Sequence, residues 1–394
     1  MKKRYKFFGL SFYLEKTPEQ KTLSFKKLKI FTRQVLDDTT HADALVSNKI
    51  WDGIRIAVQL KGGIGDQLIG CNYVKALKDK LNDANIKIDV YCRSVVNELF
   101  LSGTTFINSV SPESDFNPSD GMYDLYIRLD RFPVILECDE EKIQHHQTLY
   151  KYVSLVQNFK KLHQNVFFTG RSEFDSICNI YTLIKGQKRF NQMDIDGFLG
   201  IGEKFQYTPK VQPTDVFQKF KIPKKFITIH RGVDTNRTCN SNKLWPMESY
   251  NQLIKMIKSE FPEYTIVQLG VNKERCPDME NVDINLVGKT SMTDMVYILK
   301  KSLLHIDGEG GQVHIRHAIN GGKSVVFFGP TSVDFYGYSE NINLYSNVCP
   351  HWCEHIKEKW DEGCIKTGGI PLCMVKISPE MAFAKIKAYL NKKA

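Results

Sequence analysis

The stretch that decides the fold is Ile54-Arg55-Ile56-Ala57-Val58-Gln59-Leu60, followed at once by Lys61-Gly62-Gly63-Ile64-Gly65-Asp66. Behind it, Gln67 to Leu81 sets Leu68, Val74, Leu77 and Leu81 at helical spacing. A short apolar strand, a glycine turn and an amphipathic helix make a βα unit, the start of a parallel sheet with helices on its faces. Further strands are expected at Ile86–Tyr91 and Tyr123–Leu129, and residues 139–190 read as a mostly helical insertion rich in His, Lys and Tyr.

The pattern then pauses and resumes. Pro209, Pro213 and Pro223 mark a linker. After it come strands at Phe226–His230, Thr265–Leu269, Leu303–Ile306 and Ser324–Phe328, with helices expected at Met247–Phe261, Ser291–Lys301 and Val313–Ile319. Ser378, Pro379 and Glu380 suit the N-cap and first turn of a last helix, Ser378–Leu390. The expected organisation is a basic appendage over 1–45, an α/β unit over 46–212, a second over 213–377, and a terminal helix over 378–394.

Composition agrees with a globular body. Of 394 residues, 42% are hydrophobic and 25% charged, and no apolar run approaches the length needed to span a bilayer. The net charge of +10 is unevenly placed: residues 1–34 hold ten Lys and Arg against two acidic residues. The remainder is nearly neutral, which argues against a nucleic-acid-binding domain. The basic start carries no small-residue cleavage site, so export is not expected. With ten cysteines, that points to a reducing, cytoplasmic setting. Phe7-Phe8-Gly9-Leu10-Ser11-Phe12 and Leu28-Lys29-Ile30-Phe31 read either as a peripheral hairpin or as a surface-binding strip.

The glycine turn is not a dinucleotide or P-loop fingerprint. Leu68 stands where the former needs its third glycine, and Gly65-Asp66 stands where the latter needs Gly-Lys-Ser/Thr. Gly321-Gly322-Lys323-Ser324 imitates a P-loop tail but precedes a strand. What remains is Asp66 at a strand-to-helix turn, either a helix cap or a general base at the open end of a sheet.

Four phrases then stand in order: Gly63-Ile64-Gly65-Asp66; Thr228-Ile229-His230-Arg231-Gly232 with Asn242-Lys243-Leu244-Trp245-Pro246; Leu286-Val287-Gly288-Lys289-Thr290-Ser291; and Asp307-Gly308-Glu309-Gly310-Gly311-Gln312-Val313-His314, closing on Gly329-Pro330-Thr331. Together they resemble glycosyltransferase family 9, which contains the ADP-heptose-using heptosyltransferases of lipopolysaccharide synthesis. The resemblance covers residues 54–80 and 226–391.

The resemblance implies a GT-B fold: two Rossmann-like domains facing a cleft, with a C-terminal crossover helix. It also implies inverting, metal-independent transfer with no cofactor for the chemistry. Asp66 matches the aspartate of the family's Ser-x-Gly-Asp loop, the base. Lys243 matches the lysine of Lys-x-Trp-Pro, which contacts the donor diphosphate. Glu309 to His314 matches Asp-Thr-Gly-x-x-His. Three departures bear on the sugar pocket: Glu309 replaces the aspartate, Gly310 the threonine, and Gly63 the hydroxyl residue.

The donor site is thus expected from Gly63, Gly65, Arg231, Lys243, Glu309, Gly310, Gly311, His314 and Thr331. A departing nucleoside diphosphate needs cations, N–H groups and helix dipoles, which these residues supply. The plainer readings are a solvated Lys243, a helix-interior His314, and Trp245-Pro246 as a packed helix start.

Cys349, Cys353, Cys364 and Cys373 are clustered among Pro, Gly and charged residues. Such a set suits structural zinc or iron. It is similar to the cysteine finger of the autotransporter heptosyltransferases, although their first spacing is tighter. Reduced structural thiols and disulfides are the alternatives. The reading of the whole is a glycosyltransferase taking a nucleotide sugar, ADP-heptose or similar, to a lipopolysaccharide or capsule precursor. Its basic appendage would lie on the inner face of the inner membrane. A protein O-heptosyltransferase acting on Ser, and an inactive sugar-binding scaffold, are the rival readings.

Overall fold

A computed structural model describes residues 2–7, 10–16, 21–25, 28–30, 53–169, 175–232, 241–356, 360 and 363–393. The first strands, β1 (Lys2–Phe7), β2 (Leu10–Lys16), β3 (Lys21–Phe25) and β4 (Leu28–Ile30), pair in sequence as an antiparallel meander. The described residues of the appendage form a small sheet of four strands. Most of its two aromatic and basic phrases falls on these strands; Phe8, Gly9 and Phe31 lie outside the described residues.

The first α/β unit is built from β5 (Ile54–Leu60), α1 (Ile64–Leu81), β6 (Ile86–Cys92), β7 (Ser109–Pro112), β8 (Leu125–Leu129) and β9 (Pro133–Cys138). Its sheet runs β7-β6-β5-β8-β9, parallel except for β9. The helical stretch after it resolves chiefly into α2 (Gln147–His163) and α3 (Asp175–Ile184).

The second unit comprises β10 (Phe226–His230), α4 (Met247–Glu260), β11 (Thr265–Leu269), β12 (Ile284–Asn285), α5 (Met292–Lys301), β13 (Leu304–Gly308), α6 (Gly311–Ala318), β14 (Ser324–Phe328) and β15 (Ile342–Tyr345). Its sheet is parallel throughout, in the order β12-β11-β10-β13-β14-β15. In both sheets the chain switches direction beside the central strand, at β5 and at β10/β13. Open α/β sheets bind ligands at such points.

The two units are not independent bodies. One apolar core joins Ile56, Val58 and Leu77 of the first to Val267, Leu269 and Leu299 of the second. A second core lies on the far face of the second sheet, under α4 and α7 (Pro379–Leu390). There the expected crossover is corrected. Ala382, Ile386 and Leu390 form one buried stripe of α7 that joins the second unit's core. Lys387 pairs with Glu260 of α4, and Gln252 donates to Glu380. Burying that apolar stripe against α4 and the second sheet keeps the helix on its own half.

Two motifs find purely structural employment. Trp245 is fully buried, stacks on Phe327 at 4.1 Å and donates its indole N–H to the Ile377 carbonyl, while Pro246 caps α4. Arg316, also fully buried, donates to the Leu299, Ser302, Leu303 and Lys323 carbonyls. It satisfies carbonyls at the end of α5 that would otherwise be orphaned. Gly321 packs tightly on its side chain, which accounts for the P-loop imitation.

Candidate functional site

The helix carrying Asp66 starts earlier than the sequence suggests. Gly63 is the N-cap and Asp66 lies in the first turn of α1. Its Oδ2 accepts the Gly63 N–H at 3.1 Å, so the capping role is real. The other oxygen is differently used: Arg189 donates to Oδ1 from Nη2 at 2.8 Å and from Nε at 3.3 Å. The Arg189 side chain is 5% exposed and that of Asp66 44%. A third contact holds the guanidinium, from Nη1 to Gln192 Oε1 at 3.0 Å. Burial pushes the Asp66 carboxyl up, but the Arg189 charge and hydrogen bonds outweigh it and hold the group below the usual carboxylate range. Asp66 is thus a fixed, ionised and half-exposed carboxylate in the first turn of α1.

Opposite it stands α6. Gly310 caps that helix and Gly311 opens it; a Cβ at Gly311 would meet nothing within 4 Å. His314 of the same helix lies against Gly65, where an added Cβ would come within 2.9 Å of the His314 ring. Two helix N-termini, one from each half, therefore converge beside Asp66, and both favour an anion. The loops after β10 and β13 add the charged pair Lys243 and Glu309, 19% and 8% exposed. Burial opposes the Glu309 charge, but Lys243 and then His314 pull its carboxyl down to about 2. Lys243 also sits 5.9 Å from the centroid of the Trp360 ring.

The remaining expected residues take supporting places. Arg231 donates Nε to the Trp245 carbonyl at 3.0 Å, which aims its guanidinium from the end of β10. The Thr331 hydroxyl is buried with no hydrogen-bond partner among the described residues. The adjoining Ser332 N–H donates to Glu354, a buried carboxylate of the cysteine segment that burial raises to about 7. That segment thereby braces the Gly329-Pro330-Thr331 turn, whose Pro330 carbonyl accepts the Glu354 N–H at 3.1 Å.

Sequence reasoning missed Arg189, Tyr338 and the group behind His230. His230 Nδ1 lies 2.9 Å from Asp307 and its Nε2 3.3 Å from Cys276 Sγ. Burial lowers the His230 pKa, but Asp307 more than compensates and raises it to about 10. Gly232 and Gly270 leave no room for a side chain over Cys276, so this group pins both loops at the ends of β10 and β11.

The nine described cysteines are all free, so no disulfide forms among them. Cys373 is raised to about 12 by burial and then by the neighbouring Cys353, Cys349 and Cys364 sulfurs, which places all four in one electrostatic neighbourhood. Cys364 is opposite in sense: hydrogen bonds from the Leu372, Lys366 and Thr367 backbones overcome its burial and bring it to about 7. A sulfur wrapped in N–H donors is prepared as a thiolate. Among the described residues, no three His, Cys, Asp or Glu side chains stand close enough to hold one metal ion.

Two doubly wound sheets that share one core, with Asp66, Lys243 and two helix N-termini near their switch points, make the GT-B fold. Residues 205–363 match the model of glycosyltransferase family 9 (heptosyltransferase), which supports a glycosyltransferase. No curated protein matches the chain in sequence.

Solved structures share the fold at low identity. E. coli ADP-heptose lipopolysaccharide heptosyltransferase II is 14% identical over 86% of this chain and 100% of that one, with a TM-score of 0.52. The iron-containing dodecameric glycosyltransferase TibC from enterotoxigenic E. coli H10407 is 11% identical over 87% and 77%, with a TM-score of 0.56. TibC in complex with ADP-D-beta-D-heptose is 10% identical over 97% and 81%, with a TM-score of 0.54.

Proposed function

We propose that the chain transfers a heptose or related sugar from a nucleotide-diphosphate donor, ADP-heptose or similar, to a bacterial surface glycan precursor of lipopolysaccharide or capsule. The observation that carries this reading is the ionised Asp66, fixed by Arg189 and Gly63, facing the open N-terminus of α6. Asp66 takes the acceptor hydroxyl proton as that oxygen attacks the anomeric carbon from the side opposite the diphosphate, which inverts the centre. The bond from carbon to phosphate oxygen breaks, and the pair of electrons leaves with the diphosphate.

That charge falls on Lys243, Arg231, the Gly310 and Gly311 N–H groups and the α6 dipole. This cationic set makes a metal unnecessary for transfer. The ADP-heptose bound to TibC supports the donor class. Thermal stabilisation of the purified protein by a panel of nucleotide sugars tests the reading: a selective rise with ADP-heptose is expected, and no response to any of them would refute it.

The cysteine segment, similar to the cysteine finger of the autotransporter heptosyltransferases, favours a second acceptor, a Ser of a surface protein; TibC, which shares the fold, is iron-containing. Cys349, Cys353, Cys364 and Cys373 would hold a structural zinc or iron on drawing closer together than they stand here, and the metal would supply order to the segment and no step of transfer. The backbone donors around Cys364 and the shared neighbourhood of the four sulfurs support this. Cys364→Ser should then lose metal by elemental analysis and melt earlier; a metal-free wild-type of full stability would return these residues to plain thiols.

The basic residues of 1–34 would hold the enzyme on anionic lipid at the inner face of the inner membrane. No helix of the described residues is long and apolar enough to cross a membrane. A chain starting near Ala42 should lose salt-sensitive vesicle binding and keep transfer to a soluble acceptor.

A further inference from the structure

Tyr338 belongs to no motif, and the proposed transfer gives it no task. Yet it is fully buried and its ring is held on two sides. His317 stacks on it at 3.6 Å with the planes 13° apart, and Phe190 stacks at 5.8 Å and 21°. Its hydroxyl lies 2.7 Å from His314 Nδ1.

A phenol can donate or accept, so the neighbours must decide which. His317 Nδ1 faces the Glu340 carboxylate, and its Nε2 lies 3.0 Å from the Glu203 carbonyl. Burial opposes the Glu340 charge, but His317 holds that carboxyl below its usual range, so it has no proton to give. Both partners are acceptors, and only an imidazolium carrying both protons satisfies them. A cation stacked on the phenol ring draws electron density from it and makes the hydroxyl a better donor. Burial meanwhile pushes the Tyr338 hydroxyl far above its ordinary range, so the proton stays on it.

The other side of His314 gives the same direction. Its Nε2 faces the ionised Glu309 carboxylate at 3.9 Å, again an acceptor. Nε2 therefore carries hydrogen, and Nδ1 presents a lone pair to Tyr338.

We propose that Tyr338 is a positioning residue that locks His314 as the neutral Nε2–H tautomer, aiming that N–H into the space shared with Glu309 and Lys243. There it donates to the departing diphosphate. The ligand rests on the donor-site reading above, whereas the tautomer stands on the Tyr338 hydrogen bond and the approach of Glu309 to Nε2. Tyr338 exerts its effect through His314 and touches no reacting atom.

Long-range ¹H–¹⁵N spectra of the full chain labelled at histidine test this, with the His314 signals identified by their loss in His314→Gln. The expected wild-type pattern is a bare Nδ1 and a protonated Nε2. Tyr338→Phe keeps both ring stacks and drops only the hydroxyl. In it the ring should divide between tautomers, and kcat for transfer from ADP-heptose should fall about tenfold, the scale of one buried hydrogen bond. An Nδ1–H or doubly protonated His314 in the wild type at neutral pH overturns the proposal, whether or not the variant folds. So does an unchanged tautomer in a folded Tyr338→Phe. The expected spectra from a protein that transfers no sugar would uphold the lock while refuting the donor-site reading.

Discussion

Gly65→Ala sets two effects of known sign against each other. Gly65 lies in the first turn of α1, and alanine is the better helix former by about 1 kcal/mol. Propensity alone would make the variant more stable. The added Cβ, however, would sit 2.9 Å from His314 Cδ2, closer than carbon atoms approach in folded proteins. His314 has little freedom to withdraw, because its Nδ1 is held at 2.7 Å by a Tyr338 ring that is itself stacked on both faces.

Forcing an extra carbon into such a contact costs about 1–3 kcal/mol. The net loss is then on the order of 1 kcal/mol. Activity should suffer more, because the next residue is Asp66 and the two helix N-termini must part. A displacement near 1 Å at a reacting group costs about a hundredfold in rate. Melting temperature and steady-state transfer from ADP-heptose measure the two together. A variant that melts higher and turns over normally would refute the close approach of the two helices.

Gly311→Ala is the companion test: its Cβ has open space, so the melting temperature should hold or rise while nucleotide-diphosphate affinity falls. Lys243→Ala should weaken diphosphate binding by calorimetry, by about 1.5–3 kcal/mol for a charge-assisted contact, and it leaves the Glu309 carboxylate unpaired beside the anion. Arg189→Met removes what holds the Asp66 carboxyl down and leaves burial, which raises it. The acidic limb of the pH–rate profile should therefore move to higher pH. By the same sign, the stability that the ionised Asp66 contributes in the wild type, present above the unfolded carboxylate range and lost as pH falls through its folded value, should shrink in the variant.

Much of this arrangement is legible in the sequence because its physics is local. Strand, glycine turn and helix are adjacent from Ile54 to Leu81, so the α/β pattern and the place of Asp66 follow from spacing alone. The phrase from Glu309 to His314 likewise lies within one turn and one helix. Arg189 could not be found that way. It stands 123 residues from Asp66 in a short turn with no motif, and only folding makes it the partner. Tyr338 and Glu354 are of the same kind, buried polar groups whose partners come from other segments. The terminal helix shows a subtler limit: Ala382, Ile386 and Leu390 announce a buried face, but a stripe does not say which half covers it. Asp66 read as either cap or base; the structure gives Oδ2 to the Gly63 N–H and Oδ1 to the Arg189 guanidinium.

The most direct test of the account compares wild type with Asp66→Asn for release of ADP from ADP-heptose in the presence of a lipopolysaccharide-core acceptor, with donor affinity measured in parallel. The amide keeps an oxygen for Gly63 or Arg189 but cannot take a proton. Donor binding is expected to stay nearly unchanged while the rate falls by about 10²–10⁴-fold. Near-normal turnover by Asp66→Asn would contradict it and leave Asp66 as a helix cap.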